Sequence, residues 1–167
     1  MSVFFPHADF KRIYEIPTEF FQQRGLTVAL LDVDNTLTTH DNPTPHKEVL
    51  GWLERQRNSG LRLMILSNNT EERVAPFAEG LGLEYIANAH KPLGGPLRQA
   101  LGKLGVRPEE TAVIGDQIFT DILCARLAGC TAVLVEPMEP EPMAFFRVKR
   151  TLERPILRAY RKRKGRG

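Results

Sequence analysis

Three observations place this chain among α/β proteins with a doubly wound parallel sheet. Short apolar runs alternate with helical stretches along its length. The runs are continuously apolar, as strands covered on both faces must be, where a half-exposed strand would alternate. A chain of 167 residues is also the size that one such sheet and one core can organise. Five strands joined by right-handed helical crossovers are predicted.

The first strand is the run 27–32, Thr-Val-Ala-Leu-Leu-Asp. Thr44 then reads as an N-cap with Pro45 in the first helical position. The helix it opens carries Val49, Leu50 and Leu53 on its buried face and stops at Asn58-Ser-Gly60. Residues 62–66 form the second strand. Thr70 opens the next helix, with Glu71 and Glu72 in the first turn, where the helix dipole favours acids. A short third strand at 83–87, a helix over 96–104, a fourth strand at 111–115, a helix ending at Ala128-Gly129 and a fifth strand at 131–135 complete the pattern. The segment 136–142 holds three prolines and reads as the turn that releases a C-terminal tail. The expected organisation is a domain over 1–142, lead-in included, and a helical tail over 143–167.

Composition narrows the class. With 42% hydrophobic and 26% charged residues, the chain can build a core and is no disordered tail. No apolar run approaches the ~18 residues of a spanning helix, and the stretch 1–7 lacks the features of a signal peptide. Cys124 and Cys130 cannot make a disulfide framework and read as small buried hydrophobes of a reducing, cytoplasmic protein. The net charge of +3 hides an asymmetry. Residues 1–142 carry 13 Lys/Arg against 19 Asp/Glu, a net of −6, whereas residues 143–167 carry 10 Lys/Arg against Glu153 alone, a net of +9. A basic appendage on an acidic body suits a polyanionic partner.

In sheets of this kind ligands sit beyond the carboxyl ends of the strands. Strand one ends in Asp32-Val-Asp34-Asn-Thr36, strand two in Ser67-Asn68-Asn69, and strand four in Gly115-Asp116 with Asp121 a turn further on; the loop after strand three leads to Lys91. Asp32 and Asp34, two apart on extended backbone, project to the same side. With Asp116 and Asp121 they gather up to four carboxylates, which would repel one another unless a cation sits among them. Ligands that are all oxygen favour Mg²⁺ over Zn²⁺. Thr36, Ser67, Asn68 and Lys91, with backbone N–H groups at helix starts, are the candidate phosphate partners. Metal, anion cradle and a spare carboxylate point to phosphoryl transfer through an aspartyl-phosphate.

These four segments, in this order, resemble the motifs of haloacid-dehalogenase-superfamily phosphatases of subclass IIIA. Tyr14-Glu-Ile-Pro-Thr-Glu19, Asp34-Asn-Thr-Leu37, Gly115-Asp-Gln-Ile-Phe-Thr-Asp121 and Arg147-x₂-Arg150-x₂-Glu-Arg154 further resemble the YqeG family, relatives of the mitochondrial phosphatidylglycerophosphate phosphatase. The similarity runs over about residues 4–158; one departure is His40, where that family leads one to expect an aromatic. The resemblance implies Asp32 as nucleophile and Mg²⁺ ligand, and Asp34 as the acid and base, its carbonyl a second ligand. It further implies Asp116 as a direct ligand, Asp121 as an indirect one, and Ser67 and Lys91 on the phosphoryl oxygens.

Only 32 residues separate Asp34 from Ser67 and 23 separate Ser67 from Lys91, which leaves no room for a cap domain. An open mouth suits a phosphate presented by something large. Continued as a helix, the tail puts Phe145, Val148, Leu152, Ile156 and Tyr160 on one stripe and Arg147, Arg150, Arg154, Arg158 and Arg161 on the other, with Pro155 a possible kink. Such a helix lies in an anionic lipid interface; taken with the family resemblance, this implies phosphatidylglycerophosphate as substrate at the inner membrane face. The alternatives are that the stripe packs on the domain, that the enzyme is a soluble metabolite or nucleotide phosphatase whose cap role falls to an oligomer neighbour, or that the chain is a binding module for nucleic acid or protein. Nucleic acid is disfavoured, since no aromatics interleave with Arg161-Lys-Arg-Lys164.

Overall fold

The computed structural model describes residues 2–40 and 42–165; Met1, Asp41 and the last two residues of the tail, Arg166 and Gly167, lie outside the described residues. The elements are β1 (Ala8–Phe10), α1 (Thr18–Gln23), β2 (Val28–Leu31), α2 (Lys47–Asn58), β3 (Arg62–Leu66), α3 (Glu71–Leu81), β4 (Glu84–Ile86), α4 (Gly95–Leu104), β5 (Thr111–Gly115), α5 (Leu123–Ala128), β6 (Thr131–Val135) and α6 (Ala144–Lys164). The sheet has six parallel strands in the order β1-β6-β5-β2-β3-β4. The predicted sheet therefore gains one strand. β1 is only three residues long with Asp9 in its middle, so it carries no apolar run, and it exists because the edge of β6 pairs with it.

Period-two alternation splits each strand between two cores. Ala29, Leu31, Ile65, Ala112, Ile114 and Val133 face Trp52, Leu53, Val74 and Phe77 of α2 and α3, with the lead-in residues Ile13, Ile16, Phe20 and Phe21. Val28, Leu30, Met64, Val113, Ala132 and Leu134 face Leu97, Leu101, Ile122 and Ala125 of the other layer. Both cysteines are free and buried there, and burial pushes the thiols up, Cys124 to about 11 and Cys130 to about 12. Such thiols are protonated and inert at neutral pH.

Two local expectations change. Helix α2 begins at Lys47, with His46 before it, because Thr44 is used elsewhere: its N–H donates to Asn42 Oδ1 (3.1 Å) and its carbonyl accepts from the Thr38 hydroxyl (3.3 Å). Its buried face runs Val49, Trp52, Leu53, Gln56, the i, i+3, i+4, i+7 series, which turns Leu50 outward.

The tail is one unbroken helix through Pro155, and it is anchored to the body. Ile156 and Leu157 pack against the second core, and the Tyr160 hydroxyl donates to Asp9 Oδ1 (2.9 Å). The buried Glu153 carboxylate accepts the N–H groups of Ile118 (2.8 Å) and Phe119 (3.3 Å). The predicted apolar stripe is thereby divided. Ile156 and Tyr160 face the body, while Phe145, Val148 and Leu152 are exposed, and Arg150 of the supposedly solvated stripe turns inward.

Glu153→Ala would leave the buried Ile118 N–H and the part-buried Phe119 N–H without this acceptor and remove a partner of Arg150. A loss of about 2–3 kcal/mol in urea unfolding is expected; a loss within ~0.5 kcal/mol, the usual range of an inconsequential surface substitution, would show that the carboxylate is not an anchor.

Candidate active site

β2 is internal, with β3 and β4 on one side and β5, β6 and β1 on the other. The chain direction across the sheet reverses beside β2, so the crevice of a doubly wound fold opens between the carboxyl ends of β2 and β5. Asp32 and Asp116 lie at those two ends. Past Asp32 the chain makes a tight loop in which the Val33 carbonyl accepts N–H groups from Thr36, Leu37 and Thr38. Asn35 takes a positive φ of 61° there, which Asn tolerates better than other non-glycine residues. Asp34 points back into the crevice. Its Oδ1 accepts from Arg73 (3.1 Å), its Oδ2 from the Asn69 amide, and His40 Nδ1 is 3.9 Å from Oδ2.

Lys91 is the centre of the floor. Its buried ammonium spends three donors on Asp32 Oδ1 (3.0 Å), Asp121 Oδ1 (2.6 Å) and the Leu66 carbonyl (2.8 Å). Burial by itself would lower the Lys91 pKa, yet Asp121 and Asp32 raise it above its ordinary value, so the charge is permanent. The Asn68 side chain clamps the backbone of Lys91 from both sides, accepting its N–H (2.7 Å) and donating to its carbonyl (3.1 Å).

Beyond β5 the chain enters a wide π-helical turn, Ile118–Ile122, whose Ile122 N–H reaches back five residues to the Gln117 carbonyl (3.2 Å). That widening carries Asp121 under the sheet end, where its Oδ2 accepts from Gln117 N–H (3.1 Å). Gly115 is required by this packing, because a Cβ there would overlap the Asp121 carboxyl group. Asp116 is buried. Its Oδ2 and its carbonyl both pair with Arg150 from α6, and Arg150 also holds Glu141 Oε1 (2.8 Å) and Glu153 Oε2 (3.2 Å).

Asp32, Asp116 and Asp121 thus bring carboxylate oxygens within 4.8 Å of one another. Lys91 is shared between Asp32 and Asp121, and Arg150 between Asp116, Glu141 and Glu153, so these two cations do not balance the three clustered carboxylates. Asp116 Oδ1 is buried without a hydrogen-bond partner among the described residues. An orphaned carboxylate oxygen facing two others fits a hard divalent cation. Burial, opposed by Lys91 and reinforced by Asp121 and Asp34, pushes Asp32 up to about 7; burial raises Asp116 well above the carboxylate range despite Arg150.

Of the residues singled out from sequence, Asp32, Asp34, Ser67, Asn68, Lys91 and Asp121 line one cleft of about 220 Å³. Asp116 is buried outside the cleft lining and joins Asp32 and Asp121 only through the carboxylate cluster. Thr36 is set apart: it is fully buried beneath the loop, outside the cleft lining, and its hydroxyl meets no partner among the described residues. Asn68 lines the cleft, but its amide is occupied with Lys91. Sequence reasoning missed Arg73, Asn69 and Gln117 and the wall built by Met143, Phe146 and Lys149. The first three adjoin recognised segments; the wall depends on how α6 folds back, which carries no local signal.

The fold and this site define a class. The chain belongs to the haloacid dehalogenase-like hydrolases, whose family pattern matches residues 4–129, and it is a phosphatase of that class, a family that generally uses a divalent metal. The similarity is more particular still. The chain is 36% identical over 162 residues to the probable phosphatase YqeG of Bacillus subtilis, covering 97% of this chain and 94% of that one. It is 24% identical to phosphatidylglycerophosphate phosphatase 1 of Arabidopsis thaliana, covering 93% of this chain and 47% of the plant protein. Among solved structures, an uncharacterized Listeria monocytogenes protein superposes with a TM-score of 0.58 at 21% identity, over 71% of this chain and 85% of that one. The deoxy-D-mannose-octulosonate 8-phosphate phosphatase of Haemophilus influenzae does so with a TM-score of 0.55 at 17% identity, over 67% and 69%. These likenesses carry the fold alone.

The raised Asp32 pKa has a consequence for stability. Between the ordinary 3.8 and about 7, the unfolded chain has released a proton that the folded, metal-free protein still holds. Metal-free stability therefore falls as pH rises through that window. In chelator, Asp32→Asn is expected to flatten the fall in Tm between about pH 5 and about pH 8, and Mg²⁺ is expected to raise the wild-type Tm more at the higher pH, since its ligands must be deprotonated. An unchanged pH slope in the variant would show that Asp32 is not the group responsible.

Proposed function

We propose that this chain is a Mg²⁺-dependent phosphomonoesterase that works through an aspartyl-phosphate on Asp32 and takes phosphatidylglycerophosphate at the inner face of a membrane. The single observation that carries the lipid reading is the exposed apolar edge beside the cleft. Met143, Phe145, Val148 and Leu152 on and before the first turns of α6 are 54%, 75%, 60% and 60% exposed, and Met143 also lines the cleft. Exposed Arg147, Arg154 and Arg158 lie on the opposite stripe of the same helix, with no carboxylate in ion-pair reach among the described residues. Apolar and cationic groups arranged this way favour an anionic lipid interface. No described helix is long and apolar enough to cross a membrane, so contact would be peripheral. The name of the Arabidopsis relative agrees with a lipid phosphate.

On this reading an Asp32 oxygen attacks phosphorus while Asp34 gives its proton to the departing alkoxide. Asp34 then takes a proton from the water that attacks the aspartyl-phosphate, which releases inorganic phosphate and restores Asp32. The Ser67 hydroxyl would hold a phosphoryl oxygen; the Lys91 ammonium, fixed in place by Asn68, would offset the phosphoryl charge and reach an oxygen by exchanging its bond to Asp32. Asp32, Asp116 and the Asp34 carbonyl would hold Mg²⁺, with Asp121 behind them; the ion supplies the positive charge that lets a carboxylate approach a phosphate dianion.

Asp32→Asn is expected to fold and to lose turnover of phosphatidylglycerophosphate in mixed micelles by about four orders of magnitude or more; retained turnover would overturn the mechanism. For the membrane surface, wild type should sediment with vesicles containing anionic lipid. Phe145→Ser with Val148→Ser should weaken that binding at least about tenfold, since each buried apolar side chain contributes ~1.5–3 kcal/mol. Equal sedimentation of both proteins, or none by wild type, would remove the lipid reading and leave a soluble substrate.

A further inference from the structure

Among the described residues, one lysine in the cleft has no carboxylate within ion-pair distance. Lys91 is paired with Asp32 and Asp121, Arg150 with Asp116, Glu141 and Glu153, and Arg73 with Asp34. Lys149, on the second turn of α6, lines the same cleft and is half-buried. Its ammonium donates to the neutral Gln117 Oε1 (2.9 Å) and has no carboxylate within ion-pair distance among the described residues. The Gln117 oxygen also accepts from the Thr120 hydroxyl (3.3 Å), so the acceptor that positions Lys149 is itself fixed. Burial and the Arg150 charge lower the Lys149 pKa, and the more distant Glu153, Asp121 and Asp116 offset this only in part. A half-buried charge of this kind is compensated when an anion binds.

The transferred phosphoryl group already has its counter-charges on the floor, at Lys91 and the carboxylate cluster that suits a cation. Lys149 stands instead on the wall supplied by α6, beside Met143 and Phe146, where the alcohol portion of a substrate would lie. Resting on the phosphatase reading above, we propose that Lys149 receives a second anionic group of the substrate, so that this enzyme selects phosphomonoesters whose alcohol portion carries a further phosphodiester or carboxylate. The apolar pair Met143 and Phe146 then contacts the carbon chain between the two anions. The residue sets specificity; it transfers no proton and makes no bond to phosphorus.

The test compares kcat/KM for three phosphomonoesters in wild type, Lys149→Met and Lys149→Arg. Phenyl phosphate carries no second anion, 3-phosphoglycerate carries a carboxylate, and glycerophosphoglycerol phosphate carries the phosphodiester of the lipid head group without acyl chains. Lys149→Met keeps the aliphatic stem and should lower kcat/KM for the preferred doubly anionic substrate about 10–100-fold more than for phenyl phosphate, the effect of one charged hydrogen bond. The loss should fall mainly on KM, and Lys149→Arg should recover most of it. Whichever of the two doubly anionic substrates shows the loss identifies the second group. Equal losses on all three, or no loss on either doubly anionic substrate, would overturn the assignment of Lys149 while leaving the phosphatase reading intact. Absence of Asp32-dependent turnover on all three would instead overturn the reading on which the assignment rests.

Discussion

Three carboxylates held within 4.8 Å of one another are an electrostatic burden that the remainder of the fold is arranged to carry. Lys91 lies between two of them with all three ammonium donors engaged, and Arg150 covers the third. Removing either cation would leave buried negative charge with nothing nearby to oppose it, which is far less favourable than leaving an exposed pair unmade. The two cations reach the site from opposite directions: Lys91 comes from the loop after β4, and Arg150 comes from the last helix. The site therefore closes only when the whole sheet and its tail are in place.

This explains why α6 is part of the structure despite a composition that reads as an appendage. Arg150 and Glu153 face inward and connect the helix to Asp116 and to the start of the turn that carries Asp121. Glu141, in the proline-rich segment, joins the same network and also meets His40 Nε2 at 3.0 Å. That segment therefore turns the chain back onto the domain. With Arg150 and Glu153 committed to the body, the first turns of α6 leave Phe145 and Val148 exposed, with Arg147 exposed as well.

Where a cap domain would otherwise shape specificity, α6 provides a wall. Met143, Phe146 and Lys149 line the cleft from one side, while Asp34, His40 and Asn69 line it from the other. Anchor and wall alternate along a single helix, because residues one apart on a helix point about 100° away from each other. Lys149 enters the cleft and its neighbour Arg150 turns to Asp116 through this geometry.

Sequence alone was sufficient for the doubly wound class, the five strands β2 to β6 and the acids, serine and lysine at their ends. Those features are local: a continuous apolar run, and chemistry-bearing residues one or two positions beyond it. It was insufficient for β1, which has no run of its own and is held by the edge of β6, and for the start of α2, where the Thr38–Asn42–Thr44 contacts take away the expected cap. The burial of Thr36, the use of Asn68 to hold Lys91 and the inward turn of Arg150 were also decided only by tertiary structure. Each depends on which residue distant in sequence comes to lie opposite, and no spacing along a chain encodes that.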